Sequence, residues 1–349
     1  MIDSLGAGTL AAIVGLLSGL LLGLAARLGR FCTLGAIEDW LYGDNATRLR
    51  MWAVAIGVAV IGSFGAGALG WADIGQSFYL TLAWNPLASI LGGLVFGYGM
   101  AIAGNCGYGA LARLGGGDLR SFVIVVVMGI AAYVTISGPL AYPRIWAFPT
   151  VAATGTTPGI AHGLEALTRL PAWVFGIAIG AAILAATLPR MRHDRAAAAW
   201  GAVVGLAVAA AWIGTSWIAH HSMGATPVVS HTFARPLGET ILYAMTASGM
   251  PLTFAVGSVA GVWIGAFIGS LIKGHFRWEA CEDPRELRRQ IFGAALMGVG
   301  GVVAVGCSIG QGLSAFSVLA WSAPVTLAAI FAGAAFGLRQ LIAGFQPAE

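Results

Sequence analysis

The chain has 349 residues, of which 58% are hydrophobic and only 9% charged. A soluble domain carries roughly 25% charged residues, so a chain this poor in charge cannot face water over most of its area. The net charge of +4 is spread over short loops, which excludes a nucleic-acid binder and points to membrane topology.

A bilayer-spanning helix needs about 20 apolar residues. Nine apolar runs of about that length follow one another, at 8–29, 51–71, 87–104, 120–142, 172–189, 197–219, 251–272, 290–306 and 322–342. They predict an all-α polytopic membrane protein, a single transmembrane domain over 1–349 embedded in a lipid bilayer. The opening MIDSLGAG lacks the basic stretch of a secretory signal, so the first run is expected to stay as a span. The stretch 30–44, RFCTLGAIEDWLYGD, is too short and mixed to cross and predicts a short amphipathic or re-entrant helix. Residues 107–119 and 308–321 read as half-helices, and 141–168 as a longer outer loop. The most charged stretch, 273–289, reads as a solvated helix or a docking surface. Many of the 52 glycines lie inside the apolar runs, where small residues let membrane helices approach closely.

Of the 18 Lys and Arg residues, all but Arg144, Arg169 and Arg235 fall on one side of the nine spans. Positive residues favour the cytoplasmic side. The expected orientation in a bacterial inner membrane therefore has the N-terminus outside and the C-terminus in the cytoplasm.

Nine spans allow an internal repeat. Repeat 1 covers about 1–142, the span at 172–189 links, and repeat 2 covers about 197–342. An odd linker makes the two four-helix units face opposite ways, a recurring plan in transporters whose binding site is built from broken helices. The third span of each unit ends in Cys-x-x-Gly, at Cys106 and at Cys307. A third copy, Cys32-Thr-Leu-Gly35, follows the first span. The matching place in the second unit reads His221-Ser-Met-Gly224, so His221 is expected to stand opposite Cys32.

Glycine permits backbone angles that other residues avoid. A helix restarting after such a corner presents unpaired N–H groups and a positive dipole end, which hold an anion without a charged side chain. Irregular backbone at membrane depth is tolerated where it is buried or lines a cavity. Thiols are soft and polarisable, so three of them favour a sulfur-containing or otherwise soft solute, or a soft metal. No Asp or Glu lies near the middle of any run, whereas cation paths and proton relays keep carboxylates in the membrane. The balance favours an anion. The candidate path residues are Cys32, Cys106 and Cys307, flanked by Gly104, Asn105, Gly109, Gly306, Gly310 and Gln311. The amides of Asn105 and Gln311 either donate to the anion or make a capping or interhelical bond. Cys281 lacks the motif and sits among Glu279, Glu282 and Asp283, as a bystander. No phosphate-binding loop, Cys-x-x-Cys or zinc spacing occurs, so no cofactor or resident metal is expected.

The stretches Gly29-Arg-Phe-Cys32-Thr-Leu-Gly-Ala-Ile-Glu-Asp39, Gly104-Asn-Cys106-Gly-Tyr-Gly109, Arg277-Trp-Glu279, Leu296-Met-Gly-Val-Gly-Gly301 and Gly306-Cys307-Ser-Ile-Gly-Gln-Gly-Leu313 resemble the YeeE/YedE sulfur-transport family over nearly the whole chain. The resemblance implies a transporter, not an enzyme, that takes up thiosulfate for sulfur assimilation. It maps the family's functional cysteines onto Cys32, Cys106 and Cys307, which pass the ion by S–H contacts without a lasting covalent bond. It also implies a cytoplasmic companion, a small TusA-like sulfur-carrier protein. One branch of the family is linked to selenium, so another sulfur or selenium compound stays open as the solute. The residues alone also leave open a membrane redox or metal-binding protein using three thiols. The placement of the three sulfurs separates these readings.

Overall fold

The computed structural model describes residues 6–154, 157–281 and 283–344. Among these the secondary structure is helical, with three isolated β-bridges and no strand. Among the described residues, eight helices are long and apolar enough to cross a membrane. The elements used below are α1 (Ala7–Leu28), α2 (Thr33–Tyr42), α3 (Thr47–Ala68), α4 (Pro86–Ala103), α5 (Gly107–Leu114), α6 (Leu119–Ile136) and α7 (Ala172–Thr187). They continue with α8 (Arg195–His221), α9 (Arg235–Thr246), α10 (Phe254–Ile272), α11 (Pro284–Val303), α12 (308–317) and α13 (Ser322–Ala343). The run read at 290–306 is helix α11. It begins six residues earlier, on a charged turn holding Arg285, Glu286, Arg288 and Arg289, which keeps it out of the eight.

Local sequence explains where these helices start. Asn85 accepts from the Ala88 N–H at 3.1 Å, with Pro86 opening α4. Asp118 caps α6 through the Arg120 N–H at 3.0 Å, and Asp283 caps α11 through the Arg285 N–H at 2.8 Å, again with proline next. Side-chain oxygens at this position satisfy N–H groups that the helix leaves unpaired, and proline fits the first turn.

The bundle is joined through glycine. Gly15, Gly19 and Gly23 of α1 lie against Gly257, Gly261 and Gly265 of α10. A Cβ on Gly19 would stand 2.6 Å from the Ser258 carbonyl oxygen, and one on Gly15 2.8 Å from the Ser258 nitrogen. The spacing of four puts these glycines on one face of each helix. Helix α4 is held the same way between α11 and α13. A Cβ on Gly99 would lie 2.6 Å from the Gly293 oxygen, and one on Gly93 would lie 3.0 Å from the Thr326 oxygen.

Two connecting stretches differ from their sequence reading. Residues 275–281 form an extended strap, and the helix begins only at Pro284. The strap lies along the α5–α6 corner. Arg277 N–H donates to Gly116 O at 3.1 Å, Glu279 N–H to Gly117 O at 3.0 Å, and Leu119 N–H to Glu279 O at 3.0 Å. Arg120 clasps it, with its guanidinium 3.2 Å from Asp118, 3.7 Å from Glu279 and 3.7 Å from Glu286. The stretch read as an outer loop contains helices Ala141–Ala147 and Ile160–Thr168.

Candidate functional site

The three Cys-x-x-Gly corners share one local geometry. Each sulfur accepts the backbone N–H of the glycine three residues on: Gly35 to Cys32, Gly109 to Cys106 and Gly310 to Cys307, all at 3.4 Å. Cys32 and Cys106 have extended backbone angles and cap α2 and α5. The sulfur thus stands where serine or aspartate caps other helices. The residue two before each cysteine is left-handed, with φ of 56° at Arg30, 78° at Gly104 and 59° at Val305. At Gly104 this is unstrained. At Arg30 and Val305 it costs about 1–2 kcal/mol each.

The motif's glycine also makes room in front of the new helix. A Cβ on Gly310 would stand 2.5 Å from Thr232 Oγ1 and 3.0 Å from the Tyr79 hydroxyl. A Cβ on Gly35 would overlap the Arg48 guanidinium. At Gly109 it would make only ordinary contacts, 3.4 Å from Asn105 Cβ and 3.7 Å from the Cys106 sulfur.

An aromatic column brings the corners together. Phe31, beside Cys32, meets Tyr108 with ring centroids 6.4 Å apart, and Tyr108, two after Cys106, meets Phe233 at 5.6 Å. The Phe233 backbone N–H donates to the Cys307 sulfur at 3.1 Å, and Thr232 Oγ1 lies 3.6 Å from that sulfur. Tyr108 is fixed by its hydroxyl, which donates to the Leu22 carbonyl at 2.6 Å. Cys106 and Cys307 are buried, at 1% and 2% exposure, and Cys32 is half-buried.

Cavities reach this column from both ends of the bundle. One, of about 460 Å³, is lined by Cys32, Gly35, Gly104, Asn105 and Gly109. Among the described residues its wall carries Arg27, Arg30, Arg48, Arg113 and Lys273 against a single carboxylate, Glu38. The other, of about 50 Å³, is lined by Tyr79, Trp84, Asn85, Arg144, Ala304 and Val305. It ends on the corner that leads into Cys307. The arrangement therefore offers a small opening, a buried stretch with thiols at helix N-termini, and a wide cationic chamber.

Gln311 takes the interhelical role in this structure. Its Nε2 donates to Ala304 O at 2.9 Å and Val305 O at 3.1 Å, tying down the strained corner. Gly306 packs on it, since a Cβ there would lie 3.0 Å from Gln311 Cγ. Asn105 is buried, and its Oδ1 has no hydrogen-bond partner among the described residues. His221 lies exposed in the last turn of α8, its ring on Trp217 and its Nδ1 2.8 Å from the Trp217 oxygen. It lines neither cavity. Cys281 is exposed on the strap. Among the described residues, no three His, Cys, Asp or Glu side chains are grouped so as to hold a metal ion.

The sequence reading missed the approach segment 226–234 and helix α9 behind it. This segment supplies Thr232 and Phe233 to Cys307. It also places His231, which is wholly buried, with Nδ1 2.7 Å from Ser258 Oγ and its carbonyl accepting from Ser314 Oγ at 2.6 Å. The available signal was Arg235-Pro236, a proline at a helix start three residues after Phe233. Tyr79, in the short helix Phe78–Thr81, was missed as well, since a lone tyrosine between two apolar runs carries no pattern.

The family model described as sulphur transport matches residues 28–336. The chain is 26% identical over 348 residues to the thiosulfate transporter TsuA of Escherichia coli, with 91% of each chain covered. It is 27% identical over 327 residues to the thiosulfate transporter TsuA of Spirochaeta thermophila, covering 91% of this chain and 94% of that one.

Proposed function

Since the chain belongs to the sulphur transport family, we propose that it carries thiosulfate across the bacterial inner membrane into the cell, and that it works as a transporter and not as an enzyme. The observation that carries this reading is the shared corner geometry. Each sulfur accepts a backbone N–H, so each thiol hydrogen is left to donate to a passing anion. A hydrogen bond to a charged group is worth about 1.5–3 kcal/mol, and a thiol donor lies at the weak end. Such contacts hold a dianion briefly and release it. The helix N-terminus behind each thiol adds a positive field without a fixed charge.

The ion enters through the small opening beside Arg144, passes Cys307, then Cys106, and leaves past Cys32 into the cationic chamber. No covalent bond to sulfur is required at any step. With positive residues inside, the chamber faces the cytoplasm, where a small TusA-like carrier protein is the proposed receiver. The two-unit repeat fits the same path, because the third span of each half leads into a cysteine corner of the same build.

The test is growth or uptake on thiosulfate in cells lacking other import routes. Cys106→Ala and Cys307→Ala are expected to lose uptake, and Cys281→Ala to keep it. Normal transport by both of the first two variants would overturn the thiol path.

A further inference from the structure

The cationic chamber holds more positive charge than the protein neutralises. Among the described residues, only Arg48 of its five Lys and Arg residues pairs with a carboxylate, Asp39, at 3.1 Å. Arg27 donates through Nε to Ser270 Oγ at 2.7 Å, and Lys273 donates to the carbonyls of Arg27 and Leu28 at 2.8 and 3.0 Å. These are neutral partners, so the charges remain. Burial, then Arg30 and then Arg27, lower the proton affinity of Lys273. The three cations are therefore near enough to repel one another. The Arg48 guanidinium reaches the same space, against Gly35 and hence beside Cys32. Like charges gathered in a concave wall focus their field into the cavity, and a chamber of about 460 Å³ holds a small hydrated ion.

We infer that this chamber is a second oxyanion site, at the exit end of the thiol path, in which a tetrahedral dianion such as inorganic sulfate binds between Arg27, Arg30, Arg113 and Lys273 and covers Cys32. Sulfate and thiosulfate share the charge and tetrahedral shape that the site recognises. On the transport reading above, the site lies on the exit side, so internal sulfate slows passage by occupying the space the outgoing ion must cross.

Cys32 reports on the site. The purified full chain with Cys281→Ser is treated in detergent with N-ethylmaleimide, which reaches half-buried Cys32 while Cys106 and Cys307 stay covered. Sodium sulfate near ~10 mM is expected to slow labelling of Cys32 about threefold relative to sodium chloride of equal ionic strength, which removes general screening from the comparison. Arg30→Gln combined with Arg113→Gln is expected to abolish the difference. Equal labelling in the two salts, or protection unchanged in the double variant, overturns the site. If the double variant does not purify, Arg113→Gln alone is compared with the parent by equilibrium dialysis of radiolabelled sulfate. Weaker binding supports the site and unchanged binding overturns it. Protection by sulfate in a protein that imports no thiosulfate would leave this site standing and defeat the transport reading. Import without protection would do the reverse.

Discussion

The backbone N–H of Phe233 donates to the sulfur of Cys307 at 3.1 Å, joining two residues 74 apart in sequence. With the Gly310 N–H at 3.4 Å, this sulfur is the acceptor for two buried donors. Cys307→Ala strands both, at a cost of about 1–3 kcal/mol. Cys307→Ser keeps an acceptor in place and is expected to melt close to the parent. Uptake is expected to be lost in both, because the soft thiol is gone in both. Thermal melting and thiosulfate uptake, measured side by side, separate capping from chemistry. Normal uptake by the serine variant would show that capping alone is needed.

Gly109 and Gly310 occupy the same place in two corners, yet a methyl group meets different surroundings at each. At Gly310 it would press on Thr232 and Tyr79, and the expected cost is about 1–3 kcal/mol of stability. At Gly109 it has room, and alanine in place of glycine in a helix is worth up to about 1 kcal/mol in its favour. Gly109→Ala is therefore expected to melt at or above the parent temperature. Its uptake is expected to fall about tenfold, equivalent to roughly 1.4 kcal/mol on the passage barrier, because the methyl stands beside the Cys106 sulfur. Unchanged uptake would place the ion elsewhere.

The glycine contact between α1 and α10 predicts a sharp contrast between two alanine substitutions. A Cβ on Gly261 would run into the Leu16 carbonyl oxygen and lie 2.9 Å from Leu16 Cα. Backbone cannot move aside, so Gly261→Ala is expected to cost about 3 kcal/mol or more and to reduce the yield of folded protein. Gly65, within α3, has nothing within 4 Å of its would-be Cβ, and Gly65→Ala is expected to be tolerated. Size-exclusion profiles of the two variants in detergent make the comparison.

Arg120 ties the 275–281 strap to its neighbours, 3.7 Å from Glu279 on the strap and 3.2 and 3.7 Å from Asp118 and Glu286 beside it. Partly exposed ion pairs of this kind contribute about 0–1 kcal/mol each, and the backbone bonds of the strap remain without them. Arg120→Gln is expected to raise the rate of limited proteolysis within 275–281 a few-fold, since weakly held segments open first. The difference between variant and parent should shrink in high salt. Thiosulfate uptake is expected to stay near the parent level.

The spans were legible in the sequence because an apolar run states its own role: the lipid selects it without reference to any partner. The cysteine corners were legible because their motif is local, a cap and its glycine three residues apart. The 226–234 segment was not. What it gives Cys307 is a main-chain N–H from Phe233, and no side-chain pattern encodes a main-chain donor. Matching His221 to Cys32 rested on its place after the span and on Gly224-Ala225, and the structure leaves His221 on an exposed last helical turn, with the short helix beginning at Arg235. Residues 273–289 read as a solvated helix or a docking surface because they are the most charged stretch. The open backbone of Gly116 and Gly117 instead draws Arg277 and Glu279 into extended pairing, and Pro284 starts the helix.

The seam of Gly15, Gly19 and Gly23 against Gly257, Gly261 and Gly265 puts main chain directly on main chain. No layer of side chains cushions it, so no change of rotamer can absorb relative motion there, and sliding by even a fraction of a turn would drive carbonyl oxygens into Cα atoms. This part of the bundle is mechanically stiff. A rocking hinge along it would force main chain into main chain, so on the transport proposal the motions that let an ion through are expected in the short helices and corners hung on that frame. The protein is then closer to a rigid duct with small valves than to a pair of swinging halves.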